Sequence, residues 1–101
     1  MRVVFANDDL ARILTDEAHR MRLPFAVIKM ARSRLVQLEA ARDERDLRML
    51  KSLNYKKKQA SPEGRRSIRI NDQYRIEFTL SEIVNPPVIT IVEIGDTHWE
   101  G

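Results

Sequence analysis

Two stretches of the chain carry residue types suited to handling a phosphodiester. One is Ser67-Ile68-Arg69-Ile70-Asn71-Asp72-Gln73-Tyr74-Arg75-Ile76, which alternates like a hairpin; the other is Glu93-Ile94-Gly95-Asp96-Thr97-His98-Trp99 near the C-terminus. In a hairpin, opposed residues point to the same face. A three-residue loop at Asn71–Gln73 pairs Ile70 with Tyr74, Ile68 with Ile76, Arg69 with Arg75 and Ser67 with Glu77, so that apolar meets apolar. A two-residue loop at Asn71-Asp72 sets Ile70 against Gln73 and mixes the faces. The preferred register leaves two arginines directly opposed on the face away from the apolar stripe. Like charges so placed cost about a few tenths of a kcal/mol or more. An anion between them turns the cost into attraction, and guanidinium forks suit phosphate oxygens. Neutralisation by a carboxylate of the same face, Glu77 or Glu93, is the alternative.

In the tail, His98 can take or give a proton near neutral pH. Asp96 is placed to orient it or share that work, and Thr97 adds a hydroxyl. Trp99, the only tryptophan, either stacks on a base or caps the sheet edge. An antiparallel final strand would bring this tail to the arginine-bearing hairpin. The expectation is that the guanidiniums and the imidazole converge on one phosphodiester linkage.

The elements that must position these groups are legible in outline. Arg2–Phe5 reads as a first strand. Asn7-Asp8-Asp9 offers a helix N-cap and first-turn acids, and Leu10, Ile13, Leu14, Ala18 and Met21 follow at helical spacing, which predicts a helix over 8–20. His19 lies off that stripe and receives no function. Pro24 fits the first position of a second helix, whose stripe is Ile28, Ala31, Leu35 and Leu38 and whose end falls near Ala41 or Arg42. Asp43-Glu44-Arg45-Asp46 reads as a break, with Leu47, Met49, Leu50 and Leu53 after it as a short helical turn or an irregular packing piece. Residues 54–64 read as a surface loop ending in a Ser-Pro-Glu-Gly turn. The alternating runs 67–70 and 74–80 are strands. Asn85-Pro86-Pro87 interrupts the chain before Val88–Ile94, which is apolar on both faces and so belongs inside the sheet. The sum is one α+β domain over 1–101, of order β-α-α-β-β-β, with two N-terminal helices on one face of a small, mainly antiparallel sheet.

At 101 residues the chain suffices for one core and not two. Apolar residues at 43% and charged residues at 33% exclude a disordered chain. The absence of cysteine excludes thiolate metal sites and cysteine catalysis. Its two histidines, His19 and His98, do not have a metal-site spacing. No run approaches a membrane span, and the opening MRVVFANDD lacks a signal-peptide core. A cytoplasmic protein without metal or membrane contact is the expectation. The charge is unevenly spread. Residues 51–75 hold eight basic side chains against two acidic ones, a net +6, whereas 76–101 hold five acidic and no Lys or Arg. A basic block of this kind is the usual footprint of a polyanion site. On that reading Lys56, Lys57, Lys58, Arg65 and Arg66, with Tyr74, Thr97 and Trp99, contact the polyanion, which the resemblance given below makes RNA. A solvated lysine-rich loop is the alternative for Lys56–Lys58.

The segment Ser67–Ile76 resembles the S-I-R-[IV]-N-D-Q-[WY]-R stretch of HigB-type toxins in the RelE/ParE superfamily, and Val92-Glu93-Ile94-Gly95-Asp96-Thr97-His98 is similar to their V-E-I-x-D-Y-H. The helical segment Lys29–Leu50, with Asp46-Leu47-Arg48, is similar as well. The resemblance covers most of the chain. It implies a RelE-like β-α-α-β-β-β fold and a ribosome-dependent mRNA endonuclease that cuts in the 30S A site and needs no cofactor. It also implies a HigA-type helix-turn-helix antitoxin, through which operator DNA would be bound indirectly. Carried over by position, the acid–base pair is Asp96 and His98, and the basic hairpin positions are Arg69 and Arg75. Two positions depart from the family pattern. Thr97 stands where the motif has tyrosine, and Asn54 stands nearest to a histidine that some members use and has no acid–base capacity. A ParE-like toxin that inhibits DNA gyrase without cutting RNA, or a catalytically weakened regulatory homologue, are the rival readings.

Overall fold

The computed structural model describes residues 1–58 and 60–96. Strand β1 (Arg2–Phe5) leads into a short helix, α1 (Asp8–Ala11). Asn7 caps it, its Oδ1 accepting from the Leu10 N–H at 3.0 Å, and Asp8 and Asp9 sit in its first turn. The helix predicted over 8–20 does not continue. It gives way to two 3-10 turns, Arg12–Leu14 and Ala18–Met21, separated by extended backbone at Thr15. The cause lies 17–19 residues away. Arg32 donates through Nε to the Ile13 carbonyl at 2.6 Å and through an Nη to the Thr15 carbonyl at 2.9 Å. These carbonyls are satisfied from outside and need no continuing helix. Arg32→Ala should therefore cost about 2 kcal/mol, since hydrogen bonds from a charged donor are the stronger kind. Urea denaturation would check this; an unchanged midpoint would mean that the segment holds its shape without Arg32.

Helix α2 (Phe25–Ala40) buries Val27, Ile28, Ala31, Leu35 and Leu38. Pro24 stands just outside it as the cap, its carbonyl accepting from Val27 and Ile28 N–H. The acidic run that reads as a break is instead a helix start. Asp43 Oδ1 accepts from the Arg45 N–H at 2.9 Å and opens α3 (Glu44–Met49). A 3-10 turn (Lys51–Leu53) ends at Asn54 with left-handed φ of 44°. Lys56–Lys57, expected as loop, form a two-residue edge strand, β2, against β3 (Arg66–Arg69).

β4 (Tyr74–Ser81) and β5 (Val88–Asp96) complete a five-stranded sheet of order β1-β5-β4-β3-β2. All neighbours are antiparallel except β1 and β5. β5 thus lies inside the sheet, as its apolar run predicts. The β3–β4 register is the expected one, with Arg69 opposite Arg75 and Ser67 opposite Glu77. Ile70 N–H to Tyr74 carbonyl, 2.8 Å, closes the three-residue loop. The helices cover one face, where Ile68, Ile76, Phe78, Ile89, Ile91 and Ile94 meet Ile13, Leu35, Leu38, Leu47 and Leu53 in the core. Among the described residues no helix is long and apolar enough to cross a membrane.

Candidate functional site

Because side chains alternate across a strand, the residues between the core isoleucines share the face that the helices leave open. Two rows result. One runs Lys56, Ser67, Glu77, Glu93 across β2, β3, β4 and β5; the next runs Arg69, Arg75, Gly95.

Arg75 is 7% exposed. Its Nε donates to Ser67 Oγ at 2.8 Å, and one Nη donates to the Asn54 carbonyl at 2.5 Å and the Ser67 carbonyl at 3.4 Å. All three acceptors are neutral. Among the described residues no carboxylate lies within ion-pair distance of this guanidinium. Burial, and then the charge of Arg69, push its pKa below the usual arginine value, against the pull of Glu77. The left-handed turn at Asn54 delivers the carbonyl that covers it. The residue without acid–base capacity therefore acts through its main chain. Arg69, opposite, is more open and is paired with the exposed Asp72.

One row away, Arg65 reaches the buried Glu77 at 3.4 Å. Glu93 is exposed and its pKa is raised. The main cause is its hydrogen bond with Glu77; burial and Glu77's negative charge add to it, and Arg65 opposes them.

The other sequence-predicted residues divide. Arg65 belongs to this face through Glu77, and Lys56 lies on it by register; Lys58, with its N–H on the Arg65 carbonyl, is exposed. Lys57 is exposed but opposite Arg66, on the other face. Arg66 itself, grouped with the RNA-contacting cations on sequence grounds, is an internal cation. At 9% exposed it donates to Glu44 Oε2 at 3.1 Å and to the Gly64 carbonyl at 2.8 Å, and Tyr55 hydroxyl donates to the same carboxylate at 2.5 Å. Tyr74 packs half-buried against the core. Asp96 is opposite Tyr74, hence on the helix-side face and not that of Arg75; its Oδ2 accepts from Gln73 Nε2 at 3.0 Å. The structure does not bring its carboxylate into contact with either arginine. Thr97, His98 and Trp99 lie outside the described residues.

Sequence reasoning missed the Asn54 carbonyl, the Arg66–Glu44–Tyr55 network and the Glu77–Glu93 pair. The hairpin register did signal Ser67, a small polar residue beside two arginines. Among the described residues no group of three His, Cys, Asp or Glu side chains is arranged to hold a metal.

Comparison with known proteins adds the family. A search of curated proteins finds no match. Two solved toxins share the fold: a YoeB/ParE toxin from Agrobacterium tumefaciens, 10% identical with a TM-score of 0.60 over 97% of this chain and 100% of that one, and the YoeB dimer of Staphylococcus aureus, 16% identical with a TM-score of 0.55 over 98% of each. The family model of HigB-like toxins, described as RelE-like toxins of type II toxin-antitoxin systems, matches residues 3–90, from β1 into β5. The chain belongs to the HigB-like toxin family of type II toxin-antitoxin systems, whose toxins are paired with an antitoxin.

Proposed function

We propose that this toxin is a ribosome-dependent mRNA endonuclease of the cytoplasm, held in check by a HigA-type helix-turn-helix antitoxin that carries it to operator DNA. The observation that carries the reading is the buried guanidinium of Arg75 beside Arg69, with no carboxylate partner among the described residues. A desolvated cation with only neutral partners favours an anion at its edge, and a backbone phosphate supplies one. Arg69 and Arg65 extend the positive field, and Lys56 and Lys58 lie beside it, suited, with the exposed Lys57 of the other face, to docking on ribosomal RNA with strong salt dependence. Stabilisation of charge developing on phosphorus is the main work such a field can do. The tail supplies proton transfer: His98 moves a proton as the ribose 2′-hydroxyl attacks phosphorus, and Asp96, on the helix-side face, acts only through the tail that follows it. The need for that hydroxyl separates RNA from DNA. With Thr97 in place of tyrosine, no phenol takes part at that position.

Induced expression in bacteria tests this. The wild type should arrest growth and generate new 5′ ends within translated mRNA, and purified protein should leave gyrase supercoiling intact. His98→Ala at equal protein level should relieve the arrest and reduce cleavage about 10²-fold or more. Equal arrest by both proteins would remove His98 from the mechanism, and arrest with inhibited gyrase and intact mRNA would replace nuclease by gyrase inhibitor.

A further inference from the structure

The open sheet face carries a proton-holding group of its own. The β4–β5 register puts Glu77 directly across from Glu93, and Arg75 across from Gly95. Two facing carboxyls do not ionise independently, because each charge raises the cost of the other. Here the two members differ in access. Glu77 is buried and fixed by Arg65 at 3.4 Å, whereas Glu93 is exposed. The Glu93 carboxyl accordingly holds its proton to higher pH than an ordinary glutamate, chiefly through its hydrogen bond with Glu77.

Beside this pair the strand is bare. Gly95 places no side chain opposite Arg75, and a Cβ built there meets nothing within 4 Å. Arg75 does not fill the space, since its guanidinium is drawn toward Ser67 and Asn54. Residues two apart on one face of a strand are separated by roughly 6.6 Å, so Glu93 stands at the edge of this floor. The buried guanidinium, without a carboxylate partner among the described residues, is the independent sign that an anion belongs here.

We propose that an RNA phosphodiester rests over Gly95 and that the Glu93 carboxylate accepts the proton of its ribose 2′-hydroxyl. The inference rests on the nuclease reading and names the group that activates the nucleophile. As the O–H bond breaks, the proton passes to Glu93 and the 2′-oxygen forms a bond to phosphorus. The bond from phosphorus to the 5′-oxygen breaks, and that oxygen takes a proton from His98 or from water. The products are a 2′,3′-cyclic phosphate and a 5′-hydroxyl, and Glu93 returns its proton to solvent. A carboxylate whose pKa lies closer to the working pH is the better acceptor. The charged groups on this face are Glu77 and Arg75 on β4, Arg65 before β3, Arg69 on β3 and Lys56 on β2, and of these Glu77 and Arg65 act on the ionisation of Glu93.

The test uses the full chain with programmed ribosomes. Glu93→Gln should fold with wild-type thermal stability or better and bind a message carrying a 2′-deoxy nucleotide at the cleavage site within about threefold of wild type. Its single-turnover cleavage should fall about 10²-fold, and the rise of rate with pH that wild type shows as Glu93 ionises should vanish. Gly95→Val should also fold, since the Cβ position is open and β-branched residues suit a strand, yet lose at least tenfold in binding the 2′-deoxy message. Wild-type rates and an unchanged pH profile in Glu93→Gln would overturn the role of Glu93 while leaving the nuclease reading intact. Undiminished binding by Gly95→Val would overturn the placement of the phosphodiester. A wild type that cuts no message would overturn the nuclease reading and this one together.

Discussion

Arg75→Lys is expected to give a folded toxin whose cleavage of ribosome-bound mRNA is about 10²-fold slower, the usual scale for losing one preorganised donor to developing charge. The charge survives but the planar fork does not. Arginine spans Ser67 Oγ on β3 and the Asn54 carbonyl on the turn beyond α3. A lysine ammonium is a strongly hydrated point charge and is poorly suited to hold both from a buried position. Ser67, fully buried, would lose a charged donor, at about 1–2 kcal/mol. Single-turnover cleavage and thermal unfolding, measured on the same preparation, separate chemistry from stability. Near-wild-type cleavage by Arg75→Lys would show that only the charge matters; near-wild-type cleavage by Arg75→Ala would remove this residue from the site altogether.

The second large effect is on stability. Glu44→Ala should cost about 2–3 kcal/mol, because it strands Arg66 and the Tyr55 hydroxyl in a poorly hydrated spot. That is a sizeable share of the ~5–15 kcal/mol that holds a domain of this kind together. Arg48 lies over the Tyr55 ring at 5.0 Å, so the same change loosens α3 from the sheet more widely. The effect has a defined pH dependence. The hydrogen bond from Tyr55, and then Arg66, hold the Glu44 carboxyl below its ordinary pKa. A depressed carboxyl stabilises the fold above its unfolded value, near 4.3, and loses that contribution as pH falls through the folded value. The gap between wild type and Glu44→Ala should therefore be full at pH 7 and shrink below about pH 4. Urea midpoints across that range measure it; a gap that widens on acidification would show that the carboxylate is not the stabilising form.

What could be read from the sequence was set by local pattern. The β3–β4 register follows from period-two alternation around a three-residue loop, and the opposed arginines follow from that register. The same parity also separates Glu93 and Gly95 from Asp96, since Ile94 faces the core and Asp96 shares its side. The expected convergence of the Asp96 carboxylate with the arginines overlooked this alternation. Other features were out of reach because remote contacts decide them. The β4–β5 register slips at Glu77/Phe78, and a one-residue slip decides which carboxyls face each other. The first helix looks continuous in its apolar spacing until Arg32, on another helix, captures two of its carbonyls. Lys56–Lys57 are too short a strand to show any period, and their pairing depends on where Arg66 and Ser67 already lie. Arg66 looks like its basic neighbours in composition, and only its pairing with the half-buried Glu44 distinguishes it.

The cover over Arg75 is a peptide oxygen, and this affects how the position responds to mutation. Deleting the Asn54 side chain removes no atom that touches the guanidinium, so whatever alanine truncation costs here comes from its poorer fit to positive φ and not from a lost side-chain contact. Only a substitution that resists positive φ, such as valine, would swing the carbonyl away. The contribution of position 54 is therefore written in its backbone handedness, and glycine, with no side chain at all, would preserve it better than most chemically similar replacements.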